Sequence, residues 1–129
     1  MPVQEDTLTT PAFVPAPVKP AISLTELERV DLRVGTVETV EDVAKSDKLV
    51  RVTVNLGDHV RTILVGMKAE RENPAEIIGR QVLVVVNLES RRMMGEVSEG
   101  MLFDIGYADG VTPVLAVPEH IVPNGTRAG

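Results

Sequence analysis

A chain of 129 residues with 43% hydrophobic content is long enough for one domain that buries roughly two thirds of its unfolded surface. Aromatic residues make up only 2%, so the core must be built from Val, Leu, Ile and Met, and the absence of cysteine excludes disulfides, thiolate metal sites and thiol catalysis. The net charge of −6 argues against a generic polyanion binder, whose footprint is usually basic.

No apolar run approaches the about 18 residues that a membrane span needs. The acidic start MPVQEDTLTT has no basic flank followed by an apolar stretch, so it is not a secretory signal, and a cytoplasmic location is expected. Residues 1–20 are expected to be a disordered Pro-rich tail, because Pro11, Pro15, Pro17 and Pro20 remove backbone donors and no apolar periodicity accompanies them. The domain proper is placed at 21–129. It opens on Ser23-Leu24-Thr25-Glu26, a capping box, with Leu24, Leu27 and Val30 on one face of an expected two-turn helix.

From Asp31 the period changes to two, with Gly35 marking a bulge or a barrel bend. Leu49–Leu56 and His59–Val65 are the next strands, joined by Gly57-Asp58. Asn73-Pro74 starts a short helical insert that Gly79 stops. Gln81–Leu88 is expected to be a strand whose apolar run Val82–Val86 is either buried on both faces or closes a small barrel. It delivers a polar, basic, flexible loop, and a fifth strand starts near Gly100. Val114–Val117 is a short strand, and Pro123-Asn124-Gly125 is strong turn chemistry. The fold class is all-β, a five-stranded OB-fold Greek-key barrel with a short N-terminal helix and a short helical insert.

No phosphate-binding glycine loop or nucleophile elbow occurs, and neither His59 nor His120 has a second ligand at metal spacing. An enzyme is not expected, nor a metal or cofactor. Arg91-Arg92 stands out instead: guanidinium forks on a loop beside an OB groove grip phosphate bidentately. Lys48, Arg51 and Arg61 offer further positive charge on an acidic chain. Met93, Met94 and Met101 serve either as core filler or as a soft apolar face beside the groove. The shortage of aromatics disfavours sequence-blind wrapping of single strands, which relies on stacking.

Asp31-Leu32-Arg33-Val34-Gly35, Ser46-Asp47-Lys48-Leu49, Asn87-Leu88, Arg91-Arg92, Met94-Gly95, Ser98-Glu99-Gly100-Met101 and Pro123-Asn124-Gly125-Thr126 follow in order. The set, covering residues 23–127, resembles the OB-fold tRNA-binding domain found on methionyl-tRNA synthetases, in EMAP-II-like cytokine precursors and as free-standing tRNA-binding proteins. The CsaA chaperones are similar. The resemblance implies a homodimer that recognises tRNA by shape, either acting alone or assisting aminoacylation by delivering tRNA to a synthetase. It carries the binding residues onto Lys45, Lys48, Asn87, Arg91, Arg92, Ser98, Glu99, Gly100 and Met101. The chain departs from the family where Glu89-Ser90-Arg91-Arg92 replaces the usual Lys-Pro-Arg-Lys, and where Glu99 stands for Gln. Two alternatives stay open: a CsaA-like chaperone holding unfolded client proteins, and a module that dimerises and docks onto an aminoacyl-tRNA synthetase.

Overall fold

The computed structural model describes residues 12–129. Residues 1–11 of the expected tail therefore lie outside the described residues. Residues 12–20 carry neither helix nor strand and are exposed, with the Ala16 N–H donating to the Asp109 carboxylate at 2.6 Å.

The barrel is organised around one long strand, β1 (Leu32–Asp42). Its first half pairs antiparallel with β4 (Gln81–Val85), and its second half pairs with β2 (Val50–Asn55). Strand β3 (Val60–Val65) follows β2 by the expected hairpin. Serving two neighbours in succession curls the sheet into the OB-type barrel. The expected bulge falls at Glu38, where the β1–β2 register shifts between Val37 and Thr39, and not at Gly35. Gly35 is instead the bend: a Cβ there would lie 2.5 Å from Val54 Cγ1 and 2.9 Å from the Asn55 carbonyl, so only glycine lets β1 close over β2.

The core is aliphatic, as the composition requires. Val37, Val52, Val54, Ile63, Val82 and Val84 are fully enclosed with Met67, and Ile77 of the insert plugs the same cluster. The insert is a single 3-10 turn, Pro74–Ile77. Beyond β4 lie β5 (Arg91–Met93), β6 (Glu96–Ser98), β7 (Met101–Leu102), β8 (Asp104–Ile105) and β9 (Val114–Leu115). Thus the expected fifth strand is broken at Phe103 into β7, which pairs with β4, and β8, which pairs with β9.

Two elements at the ends differ from expectation. The capping box forms fully, with Ser23 Oγ accepting from Glu26 N at 3.1 Å and Glu26 Oε1 accepting from Ser23 N at 2.9 Å. Yet α1 (Leu24–Leu27) is one turn, not two. Leu24, Leu27 and Val30 are all exposed, so nothing among the described residues packs on this face to stabilise a second turn. At the other end, the Pro123–Thr126 turn closes by Thr126 N–H to the Pro123 carbonyl at 3.2 Å and returns the chain as β10 (Arg127–Ala128) against β1. A two-residue strand has no periodicity to read in advance.

Candidate functional site

The segment between β4 and β7 is not a flexible loop. Arg91–Met93 and Glu96–Ser98 pair in register as a hairpin, Arg91 opposite Ser98 and Met93 opposite Glu96. Met94 (φ 51°) and Gly95 (φ 80°) both lie at positive φ, as a two-residue type I′ turn demands. Methionine is a poor marker of that turn. With only three residues a side and charges on both faces, the strands left no alternation to detect.

The residues carried over from the family separate into two groups. Four build the scaffold. Asn87 clips the N-terminal turn to the end of β4: its Nδ2 donates to the Arg29 carbonyl at 2.6 Å and its Oδ1 accepts the Asp31 N–H at 2.8 Å. Ser98 is buried, and its Oγ accepts the Leu64 N–H at 3.0 Å and donates to the Gly100 carbonyl at 3.2 Å. Glu99 joins β3 through backbone and side chain: its N–H donates to the Thr62 carbonyl at 2.8 Å, and Oε1 accepts the Thr62 N–H at 2.9 Å. Gly100 sits at φ 149° where a Cβ would come within 2.8 Å of the Val85 carbonyl.

The other five, Lys45, Lys48, Arg91, Arg92 and Met101, present their side chains to solvent. Among the described residues neither Arg91 nor Arg92 has a carboxylate partner. Adjacent on β5, they project to opposite faces of the hairpin. Arg91 lies on the face of Ser98 and Glu96, and Arg92 lies with exposed Val97. The Lys45–Lys48 turn is held from below. Ser46 Oγ accepts the N–H groups of Lys48 (3.1 Å) and Leu49 (3.0 Å), while Lys68 Nζ donates to the carbonyls of Val43 (3.1 Å) and Ser46 (2.6 Å) and pairs with Asp42.

Arg51 connects the two basic segments. It lies three residues beyond Lys48 on β2, opposite Glu41 of β1. Its Nε and Nη2 bind both oxygens of Glu96 at 2.6 Å each, and Nη1 reaches Glu41 at 3.1 Å. The Arg51 guanidinium holds the Glu96 carboxyl below the usual carboxylate range, and Glu96 with Glu41 raises the guanidinium in turn. Arg61, also grouped by sequence with the free positive charges, is occupied too, donating to the Val86 (2.6 Å) and Glu99 (3.1 Å) carbonyls. The positioning role of Arg51 and Lys68 was invisible in the sequence, which showed only two more cations.

The histidines do not converge on a metal site: among the described residues no group of three His, Asp or Glu side chains could hold an ion. His59 Nδ1 meets Asp58 at 2.6 Å and Nε2 accepts from Arg61 Nε at 3.0 Å, a surface chain beside the β2–β3 turn.

Residues 32–127 match the family described as "Putative tRNA binding domain". Among curated proteins, the methionine–tRNA ligases of Chlorobium chlorochromatii and Chlorobium luteolum are 47% identical over 92 residues and 45% over 87. Those alignments cover 71% and 67% of this chain but only 13% and 12% of the ligases, so the chain matches a small part of each. Among solved structures, a MetRS-related protein from Pyrococcus horikoshii superimposes with a TM-score of 0.78 at 27% identity, covering 86% of this chain and 100% of that one. The chaperone CsaA from Bacillus anthracis gives 0.73 at 27% identity, covering 85% and 100%. With the OB-type barrel, the ordered motifs and the match over residues 32–127 in agreement, the chain belongs to the tRNA-binding domain family.

Proposed function

We propose that this protein binds tRNA through the β5–β6 hairpin and the Lys45–Lys48 turn. The observation that carries the reading is the state of charge on the hairpin. Arg91 and Arg92 are exposed without a carboxylate partner among the described residues, while Glu96 is neutralised by Arg51 and the Glu99 carboxylate is turned onto the Thr62 N–H. Within the paired strands, residues 91–98, Glu96 is the one acid, and with Arg51 holding it Arg91 and Arg92 keep their positive charge there. Phosphate contacts of this kind fix a protein on RNA by backbone geometry, which suits recognition of shape. Asn87, Ser98, Glu99 and Gly100 serve by holding the hairpin and Met101 in place.

The protein acts as a binding module without catalytic residues, working in the cytoplasm as a homodimer that supplies tRNA to a synthetase. Pairing of two copies is supported by the uncovered apolar side chains of the N-terminal turn, Ile22, Leu24, Leu27 and Val30. No helix among the described residues is long and apolar enough to cross a membrane. Titration with bulk tRNA at low and physiological salt, with the mass of the free protein measured alongside, tests the reading. Tight, salt-sensitive binding by a dimer is expected, and no binding even at low salt overturns it.

A second reading is a chaperone of the CsaA kind. It is favoured by four exposed apolar side chains in and beside the hairpin, Leu88, Met94, Val97 and Met101, which suit an extended apolar peptide. Suppression of client aggregation that excess tRNA leaves unchanged favours this reading over the first.

A further inference from the structure

The β5–β6 hairpin is a sheet of its own, with no ladder to the main sheet. At its base it is tied by Ser98 to Leu64 and by Glu99 to Thr62. Near its tip, among the described residues, a single ion pair joins it to the barrel: Arg51 to Glu96. That contact is a planar fork on a carboxylate, with both bonds at 2.6 Å, and the fork's third nitrogen is anchored on Glu41. Glu96 stands directly opposite Met93, one residue from Arg92 and next to the Met94-Gly95 turn.

Resting on the tRNA-binding reading, we propose that Arg51 and Glu96 form a clamp that positions the hairpin for RNA, with Glu96 promoting the binding of a polyanion although it is itself an anion. Arg51 lies in the middle of three strands, and its stem is fixed by the β1–β2 and β2–β3 ladders. A hairpin gripped at both base and tip holds Arg91 and Arg92, one on each of its faces, at a fixed position relative to the barrel. Gripped only at its base, it pivots about Ser98, and the two arginines no longer meet phosphates at fixed spacing. Arg51 and Glu96 are thus positioning residues, distinct from the side chains that touch RNA.

The sign of the charge effect makes the proposal testable. Glu96→Gln removes a negative charge beside two arginines, so charge alone predicts tighter tRNA binding. It also frees Arg51 for phosphate, which again predicts tightening. Arg51→Lys keeps net charge constant but replaces the fork with a point charge. The clamp predicts that both variants weaken tRNA binding, by about twofold to tenfold, the lower part of the range for groups coupled within one ion-pair network. It also predicts a shallower dependence of log K on log salt in both, because fewer phosphates are neutralised.

Timed trypsin cleavage after Arg91 and Arg92, followed without RNA, reads the order of the hairpin independently of any ligand. Cleavage there should accelerate in both variants while the melting temperature stays close to that of the parent. Tighter binding by Glu96→Gln, or unchanged cleavage, overturns the clamp. A parent protein that binds no tRNA removes the binding reading, and the trypsin comparison still decides whether the clamp orders the hairpin.

Discussion

Glu99 pairs with Thr62 twice, giving its own N–H to the Thr62 carbonyl at 2.8 Å and taking the Thr62 N–H on Oε1 at 2.9 Å. A side-chain oxygen thereby does the work of a missing strand carbonyl and closes the barrel between β3 and the segment leading into β7. Replacing Glu99 by Ala leaves that donor without its partner and should cost about 1 kcal/mol in urea unfolding, with the m-value unchanged. Glu99→Gln keeps a carbonyl acceptor at the same reach and should stay within about 0.5 kcal/mol of the parent.

Arg91→Ala and Arg92→Ala should each weaken tRNA binding by about 1–3 kcal/mol and reduce the salt slope by about one. Both side chains are exposed, so the melting temperature should not follow. A filter-binding series at several salt concentrations beside a thermal melt separates the two effects. Losses of affinity that track losses of stability would remove these arginines from the interface.

The uncovered face of α1 makes its own prediction. Leu27→Glu puts a charge on a residue that touches no core, so a monomer tolerates it, whereas a dimer that buries this face does not. Light scattering should show the variant at half the parent mass with an unchanged circular dichroism spectrum.

Acid should act on two carboxyls with opposite sign. Asp31 is held below its ordinary 3.8 by hydrogen bonds from Arg33, at 2.8 and 3.1 Å, and more weakly from Arg127, with partial burial opposing. The fold therefore gains stability from the ionised form above the unfolded value and loses it as pH falls through the lower folded value. Asp31→Asn should be less stable than the parent at pH 7, and the difference should shrink as pH falls below the ordinary 3.8 and disappear once it is under the lowered folded value. Glu70 is raised, chiefly by burial and then by Asp104. Here stability falls as pH climbs from the unfolded value through the folded one, so Glu70→Gln should melt higher than the parent at pH 7 and lose that advantage near pH 4. Melting curves across pH 2.5–7 check both.

Much of the scaffold was legible because its signals are local. The strict alternation of Val50, Val52 and Val54, the Ser23–Glu26 box and the Pro123–Thr126 turn each depend on residues within a few positions of one another. The hairpin was not legible, because a Met-Gly turn hides its type I′ geometry and three-residue strands have no period. The division of the motif into scaffold and surface was hidden for a different reason. Ser98 faces Leu64 across 34 positions, Glu99 faces Thr62 across 37, and Asn87 faces Arg29 across 58, and no local pattern encodes such partners.

By itself, then, the sequence determined an aliphatic all-β barrel, the places along the chain of its longer strands and the segment that bears the basic pair, because hydrophobic period and turn chemistry act over a few residues. Only the tertiary structure decided which charges remain free. Arg51, Arg61 and Lys68 are drawn into ion pairs and carbonyl contacts with distant strands, while Arg91 and Arg92 stand exposed on the hairpin. A guanidinium reads the same in every sequence, and its function follows from the acceptors that folding brings within about 3 Å of it.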